Sequence, residues 1–402
     1  MPRVSPRILS WARETAGLSL EEAVRKLDIN DAHGVSAADR LTAYEAGNKE
    51  PSRPLLLKMA KQYRRPLLTF YLSAPPRRGD RGEDFRTLPT DQKRPVDALV
   101  DALIRDVKAR QSMVRSLVVD EDEAQPLPFI GSMRMEDGVN RVLESIVGAI
   151  GLDVTEFRVQ ASPESAFALL RTRVEAAGIF VLLIGNLGSY QTALDVEVFR
   201  GFAIADPIAP FIVINDQDAK SAWSFTLLHE LAHLWLGSTG VSGSQSNVRI
   251  ESFCNDVASA YLLPTPELEL IEIDPHTDIE TATRLITTFA EERHLSLSMV
   301  TYRLLRIGKL SEETWRLLTQ NFRHQWHLGR EAQRERERRS EGGPNYYVIR
   351  RHRLGSALLR LVNRNLSEGS LTPTKAGKVL GVKPRSVQPL LNVAFLASGK
   401  AA

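Results

Sequence analysis

The 402-residue sequence has little of what a secreted or membrane-embedded protein needs. It contains one cysteine, Cys254, which excludes a disulfide framework and is typical of a reducing compartment. No run approaches the roughly 20 apolar residues that span a bilayer. Residues 1–22 also lack the long apolar stretch of a signal peptide. Since 43% of the residues are hydrophobic and 25% are charged, a sizeable core can form. We therefore expect a soluble, cytoplasmic protein of two or three domains.

The small net charge of +3 conceals an uneven distribution along the chain. Residues 1–78 hold 14 Lys and Arg against 8 Asp and Glu. Residues 79–300 hold 18 against 34, and residues 301–402 hold 20 against 7. Basic segments favour polyanions such as DNA, but two basic ends can equally pack against an acidic centre. The charge pattern alone leaves both interpretations open.

Hydrophobic periodicity predicts an α+β protein with helical regions at both ends of a mixed central domain. Short apolar runs at 178–185, 196–204 and 211–215 predict a small sheet, and the runs at 218–236 and 249–263 predict helices. Composition shifts and Pro/Gly-rich stretches suggest the boundaries. The predicted regions are an all-α N-terminal domain over 1–74, a linker over 75–94, a mixed domain over 95–322, a charged linker or helix over 323–345 and a helical C-terminal region over 346–402.

The stretch His229-Glu230-Leu231-Ala232-His233 is the motif with most chemical content. On a helix, residues four apart differ by about 40° of rotation, so both imidazoles can reach one cation. Glu230 lies about 100° round from His229, where a general base could take a proton from water on that cation. Two histidines on an apolar helix could also be ordinary residues at the edge of a core. A zinc site would be the more specific interpretation of this spacing.

A zinc site needs a third ligand, and the next predicted helix offers one. Glu251 begins that helix, and Asn255 follows one turn later, where it could steady a ligand through a hydrogen bond. Cys254 is a rival ligand, but it lies about 300° past Glu251 on a helix, so we interpret it as a small buried hydrophobe. A non-catalytic zinc site would normally have four protein ligands, and the sequence offers three. The candidates for stabilising an oxyanion are His276, His294 and Tyr261.

Around this motif the sequence resembles the ImmA/IrrE family of zinc metallopeptidases. The similar stretches are Glu197–Asp206, Ala209–Asn215, Phe225–His233, Glu251–Asn255 and Leu262–Pro264. The resemblance implies a zincin-like domain in which a Zn²⁺ ion is held by His229, His233 and Glu251, with Glu230 as the catalytic base. It also implies that the substrate is a DNA-binding repressor, cut to switch on stress or mobile-element genes. The alternative is a DNA-binding transcriptional regulator whose peptidase-like domain acts as a sensor or binds a partner.

The N-terminal segment resembles an XRE-type helix-turn-helix, a module that often precedes this peptidase. The similar stretches are Leu18–Leu27, Tyr44–Gly47 and Pro51–Ala60. The presumed recognition helix, 36–46, offers Arg40 and Thr42 as DNA contacts but lacks strong base readers such as Gln, Asn or paired Arg. The alternative is a degenerate module that binds protein or packs internally.

The C-terminal region also has a pattern of apolar residues and glycine that is typical of a helix-turn-helix. In the stretch Leu371–Pro384, Ala376 and Leu380 can face a core while Gly381 makes a turn. The basic character of the last 102 residues makes nonspecific contact with phosphates plausible. A helical cap on the catalytic domain is the alternative. DNA is therefore a candidate partner through either basic end, beside the protein substrate.

Overall fold

The computed structural model describes residues 4–32, 34–76, 95–120, 124–188, 192–238, 245–339 and 345–396. The protein is mostly helical with one three-stranded sheet, which confirms the predicted α+β class. The chain divides into two compact units. The first is Met1–Lys108 with Asn186–Phe199, and the second is Ala109–Gly185 with Arg200–Ala402. Most of the predicted linker, residues 77–94, lies outside the described residues, and the predicted domain boundaries remain predictions.

The N-terminal part of the first unit is a group of short helices around one small core. They are α1 Pro6–Thr15, α2 Leu20–Leu27, α3 Ala37–Glu45 and α4 Arg53–Gln62, followed by a 3-10 turn over Leu67–Tyr71. The start of α2 is fixed by a capping box, because Ser19 accepts a bond from the Glu22 amide and Glu22 accepts one from the Ser19 amide. Ile8, Leu41 and Phe70 are fully buried in the core.

A long helix, α5 (Pro95–Asp120), runs from the first unit into the second. The other elements of the second unit follow in chain order. They are α6 Val139–Ile150, α7 Val154–Arg158, α8 Pro163–Ala176, β1 Phe180–Leu183, β2 Gly201–Ile204, β3 Phe211–Ile214, α9 Lys220–Trp235, α10 Gln245–Leu262, α11 Thr265–Leu268, α12 Ile279–Glu292, α13 Leu297–Arg306, α14 Glu312–Arg339, α15 Tyr346–Leu354, α16 Ser356–Ser367, α17 Pro373–Leu380 and α18 Val387–Leu396. The charged stretch from residue 323 continues α14.

The sheet has the order β1-β3-β2. β1 is parallel to β3, with Phe180 opposite Phe211, and β2 is antiparallel to β3, with Gly201 opposite Ile214. β2 is shorter than the predicted strand over 196–204. The preceding residues form a turn instead, because the Asp195 carbonyl accepts bonds from the amides of Val198 and Phe199.

Helix α9 lies in the middle of the second unit. It packs against β2, β3, α8 and α10, so side chains around most of its circumference are buried. This environment suits the sequence of α9, which has apolar residues on nearly all sides rather than along one stripe. The helix therefore has a fixed position from which its few polar side chains project. Among the helices of the described ranges, none combines the length and apolar character that crossing a bilayer requires.

Candidate metal centre

His229 and His233 project from the same side of α9. One turn of helix separates them, and their Nε2 atoms are 3.1 Å apart. The His233 side chain is buried, and that of His229 is mostly buried. Because α9 is held on several sides by packing, the spacing of the two rings is set by rigid secondary structure.

Glu251 reaches the histidine pair from α10, the helix that packs against α9. Its Oε2 lies 3.2 Å from His229 Nε2, and its Oε1 lies 3.2 Å from His233 Nε2. Among the described residues, these three side chains form the group that could hold a metal ion. Ligand atoms about 2.0–2.1 Å from a tetrahedral zinc ion lie roughly 3.3 Å from one another. The donor types and their separations therefore fit zinc.

The electrostatics of the site favour an ionised carboxylate. Burial opposes the ionisation of Glu251, but hydrogen bonds and charge interactions with His229 and His233 outweigh burial and hold its pKa well below the usual range. Glu251 therefore carries a negative charge at neutral pH. A divalent cation is the natural complement to two imidazoles and one carboxylate gathered in a mostly buried site.

Glu230 is buried beside the histidine pair, with 3% of its surface exposed. Its carboxylate lies against the first residue of β2. A Cβ atom at Gly201 would stand 2.9 Å from Glu230 Oε1 and 2.6 Å from Thr226 Cγ2. Gly201 thus gives the carboxylate the room that it occupies. Gly201 was not predicted as a site residue, although a glycine inside an apolar strand is a signal that another group approaches the backbone closely.

Ser238 supports the second histidine. Its Oγ is 3.0 Å from His233 Nδ1 and also donates to the His233 carbonyl at 3.3 Å. A hydrogen bond at the second ring nitrogen fixes the orientation of a ligating imidazole and leaves Nε2 to face the metal. Ser238 was not predicted as a site residue, and its place five residues after His233, just past the end of α9, was the available signal.

The remaining candidates from the sequence lie outside the group of three ligands. Asn255 lies half-buried on α10, one turn past Glu251, and its supporting role remains a prediction. Cys254 is fully buried in the hydrophobic core and is not a member of the ligand group. Tyr261 donates its hydroxyl to the Leu152 carbonyl at 3.1 Å. His294 Nε2 lies 2.6 Å from the Gln160 carbonyl oxygen, and His276 is exposed.

The two DNA contacts predicted in the N-terminal module make local bonds. Arg40 donates to the Asn30 carbonyl, and Thr42 donates to the Ala38 carbonyl at 3.0 Å. The chain between α2 and α3 runs from residue 28 to residue 36, longer than the three or four residues of a tight helix-turn-helix turn. DNA binding by Arg40 and Thr42 remains a prediction.

Comparison with known proteins identifies the region that carries the candidate centre. Residues 179–305 match the family model Peptidase_M78, described as IrrE N-terminal-like domain. No curated protein and no solved structure matches the chain. The matched region begins at the sheet, includes α9 and Glu251, and ends in α13. The segment that holds His229, Glu230, His233 and Glu251 is therefore similar to the metallopeptidases of the ImmA/IrrE family.

Proposed function

We propose that this protein is a zinc-dependent endopeptidase with its active centre on α9 and α10. The observation that carries the proposal is the convergence of three donor side chains, with 3.1–3.2 Å between their ligand atoms, inside the segment that matches a peptidase family. Three protein ligands are typical of catalytic zinc sites, which keep one position for water or substrate.

In this proposal His229, His233 and Glu251 hold the zinc ion. When bound, zinc supplies Lewis-acid chemistry, which acidifies a water molecule and polarises a scissile carbonyl. Ser238 fixes the ring of His233 through its Nδ1 atom. The carboxylate of Glu251 brings a negative charge that partly neutralises the ion.

Glu230 is the catalytic base of the proposed reaction. It follows His229 directly on α9, so its carboxylate lies beside the ligand group rather than within it. It accepts a proton from the attacking water and then delivers a proton to the leaving amine. Glu230 is buried, and burial strengthens the electrostatic interactions of its carboxylate.

The proposed substrate is a DNA-binding transcriptional repressor, and its cleavage would switch on stress or mobile-element genes. The resemblance to the ImmA/IrrE family supports this substrate class. The N-terminal helices, interpreted as an XRE-type module, would bring the protein to repressors or to their operators. This part of the proposal concerns the substrate only and is separable from the chemistry of the centre.

The test is cleavage of candidate repressors by the zinc-loaded full-length protein, read by mass spectrometry. Glu230→Gln keeps the side-chain volume and removes the base, so we expect unchanged zinc content and cleavage slowed by about 10²–10⁴-fold. Glu291→Gln, at an exposed position on α12, is the matched control and should cleave like the wild type.

Two outcomes would contradict the proposal. Cleavage unchanged in Glu230→Gln would exclude this residue as the base. A wild-type protein that binds repressors, holds zinc and cuts none of them would favour the alternative, a transcriptional regulator whose peptidase-like domain binds a partner.

A further inference from the structure

The last three helices of the described chain form a compact group. α16, α17 and α18 pack against one another, and fully buried side chains from each, including Val362, Val379 and Leu390, fill their common interior. α15 packs against both α18 and β1, and α16 packs against α8. Contacts with the rest of the second unit come from α15, from α16 and from the turn after α17, where Gly381 lies against the Arg110 guanidinium of α5.

The connection between α17 and α18 is six residues long, 381–386, and ends in a 3-10 turn over Pro384–Ser386. Gly381 adopts a left-handed conformation with φ of 62°, and the Val382 amide donates to the Gly377 carbonyl at 2.9 Å. A Cβ atom at Gly377 would lie 2.8 Å from the Val382 carbonyl oxygen, so the turn approaches α17 as closely as only glycine permits. Helix, glycine-containing connection and helix follow one another as in a helix-turn-helix, with a connection longer than the three or four residues of its tight form.

α18 has two distinct faces. Val387, Leu390 and Leu391 are buried toward the other helices. Gln388 and Asn392 are exposed one turn apart, and the Gln388 amide donates to Asn392 Oδ1 at 3.0 Å. Glutamine and asparagine are the side chains that read adenine through two hydrogen bonds. An exposed arginine in the 3-10 turn just before α18, Arg385, is of the type that reads guanine.

The charge of this region matches a polyanion. Residues 345–396 contain nine Lys and Arg and a single acidic residue, Glu368. Lys375 and Lys378 lie on the exposed face of α17, and Lys383 is exposed in the turn. Cationic side chains beside a polar helix face supply the phosphate contacts that position a reading helix on DNA.

From these observations we infer that residues 356–396 bind double-stranded DNA, with α18 in the major groove. Arg385, Gln388 and Asn392 contact base edges, while Lys375, Lys378 and Lys383 contact phosphates. DNA rather than RNA is the partner because the deep, narrow major groove of A-form RNA does not admit a helix. This activity does not depend on the proposed peptidase reaction, and the metal centre takes no part in it.

The experiment is a binding selection with the full-length protein and a pool of random-sequence duplex DNA. We expect an enriched sequence motif and a preference of at least ten-fold for the selected duplex. The double variant Gln388→Ala/Asn392→Ala should lose that preference and keep its affinity for random duplex. The double variant Lys375→Ala/Lys378→Ala should weaken both and reduce the slope of log K against log salt by roughly 1.8, since each phosphate contact contributes about 0.9.

The controls separate this site from other basic surfaces. Arg316→Ala, at an exposed position on α14, should leave the preference intact. Arg40→Ala/Thr42→Ala tests the N-terminal module as the rival source of the preference. Circular dichroism melts of the α17 and α18 variants should match the wild type, because all four side chains are exposed. Metal removal should leave DNA binding unchanged even where it abolishes cleavage.

Three results would overturn the inference. The first is that no sequence motif is enriched when the selection is made at low salt. The second is a preference that survives Gln388→Ala/Asn392→Ala or is lost in Arg40→Ala/Thr42→Ala. The third is tighter binding to single-stranded RNA of random sequence than to any duplex.

Discussion

Two polar clusters lie in the second unit, and they differ in how the charge of their carboxylates is balanced. In the first, which we call the α8 cluster, Arg171 pairs with Glu175, and both side chains are at most 9% exposed. In the second, the metal centre, Glu251 faces two imidazoles. The first cluster contains a permanent cation. The second gathers three donors that a bound cation would complete.

The α8 cluster is completed by residues far along the chain. Arg171 donates to the carbonyls of Val181, His352 and Arg353. Glu175 Oε2 accepts bonds from the Ser356 amide at 2.9 Å, the Ser356 hydroxyl at 2.6 Å and the Ala357 amide at 3.0 Å. α16 begins after a glycine that has no capping side chain, so Glu175 caps it from another helix.

The difference shows what each cluster is for. A buried cluster that matches its donors and acceptors from within the chain holds the fold together. A cluster of Lewis bases arranged at zinc-ligand separations prepares a site for an ion. Changes in the first cluster should therefore alter stability, and changes in the second should alter metal content and activity.

The largest effect is expected from Arg171→Met, which leaves Glu175 buried without its cation. Breaking a buried pair by removing one partner costs about 3–5 kcal/mol. Urea denaturation of the metal-free protein measures this cost. Arg316→Met removes an exposed pair on α14 and should cost under about 0.5 kcal/mol. Equal stability of the two variants would contradict the assignment of the α8 cluster to the fold.

Glu251→Ala should remove zinc and leave the fold intact. Structural zinc sites with four protein ligands bind zinc with roughly 10–16 kcal/mol, so one protein ligand is worth on the order of 3 kcal/mol. Metal analysis and calorimetric zinc titration should show about a hundred-fold loss of affinity, with a similar thermal midpoint for the metal-free proteins. Glu272→Ala, at an exposed position, is the control. Full zinc content in Glu251→Ala would exclude this carboxylate as a ligand.

Gly201→Ala should slow cleavage without removing zinc. The new methyl group meets Glu230 Oε1 and Thr226 Cγ2, and such overpacking costs about 1–3 kcal/mol. If the new methyl group displaces the Glu230 carboxylate, the activation barrier rises by a similar amount and kcat falls by roughly 10–100-fold. Gly148→Ala, on α6 with open space around its Cβ, is the control and should stabilise the helix slightly. Unchanged kcat in Gly201→Ala would show that the carboxylate does not need this position.

Glu267 is a third carboxylate, and 26% of its side chain is exposed. Glu267 accepts bonds from Arg158 at 2.7 Å and from Arg293 at 3.2 Å. Burial raises the pKa of Glu267, but the two arginines outweigh burial and lower it. Its stabilisation is therefore complete above the unfolded glutamate value of about 4.3 and is lost as the pH falls through the lower folded value.

Glu267→Gln should accordingly lower the free energy of unfolding at pH 7 by about 1 kcal/mol. It should also flatten the acid limb of the stability curve below pH 5. Glu291→Gln, at an exposed position, should keep the wild-type curve. The measurement is urea denaturation across pH 3 to 7, and parallel curves for Glu267→Gln and wild type would contradict the role of the arginine pair.

Local patterns were enough to predict α9 and the helix that carries Glu251, whereas the family resemblance implied that Glu251 meets the histidines. The four-residue spacing of the histidines and the apolar periodicity of both helices are local properties of the sequence. β2 was predicted too long because apolar residues from 196 onward look like strand, whereas the backbone bonds around Asp195 form a turn. The strand propensity of these residues does not by itself distinguish a strand from a turn.

The sequence carries only weak signals for the supporting contacts of the site, and these do not say which residues meet. Gly201 faces Glu230 because β2 crosses α9, a relation that no local pattern encodes. The α8 cluster joins Glu175 to Ser356 over 181 residues, so only the folded chain brings them together. Tertiary packing decides such contacts, and the sequence offers them no periodic signal.

The bond between Glu175 and the start of α16 has a consequence for biosynthesis. Ribosomes add about 5–20 residues per second, so α8 leaves the exit tunnel many seconds before Ser356 does. During that interval Arg171 lacks the carbonyls of His352 and Arg353, and Glu175 lacks the donors of Ser356 and Ala357. We expect the second unit to complete its packing only when its last helices emerge from the ribosome. Stalled nascent chains that end before residue 352 should therefore be readily digested by proteases.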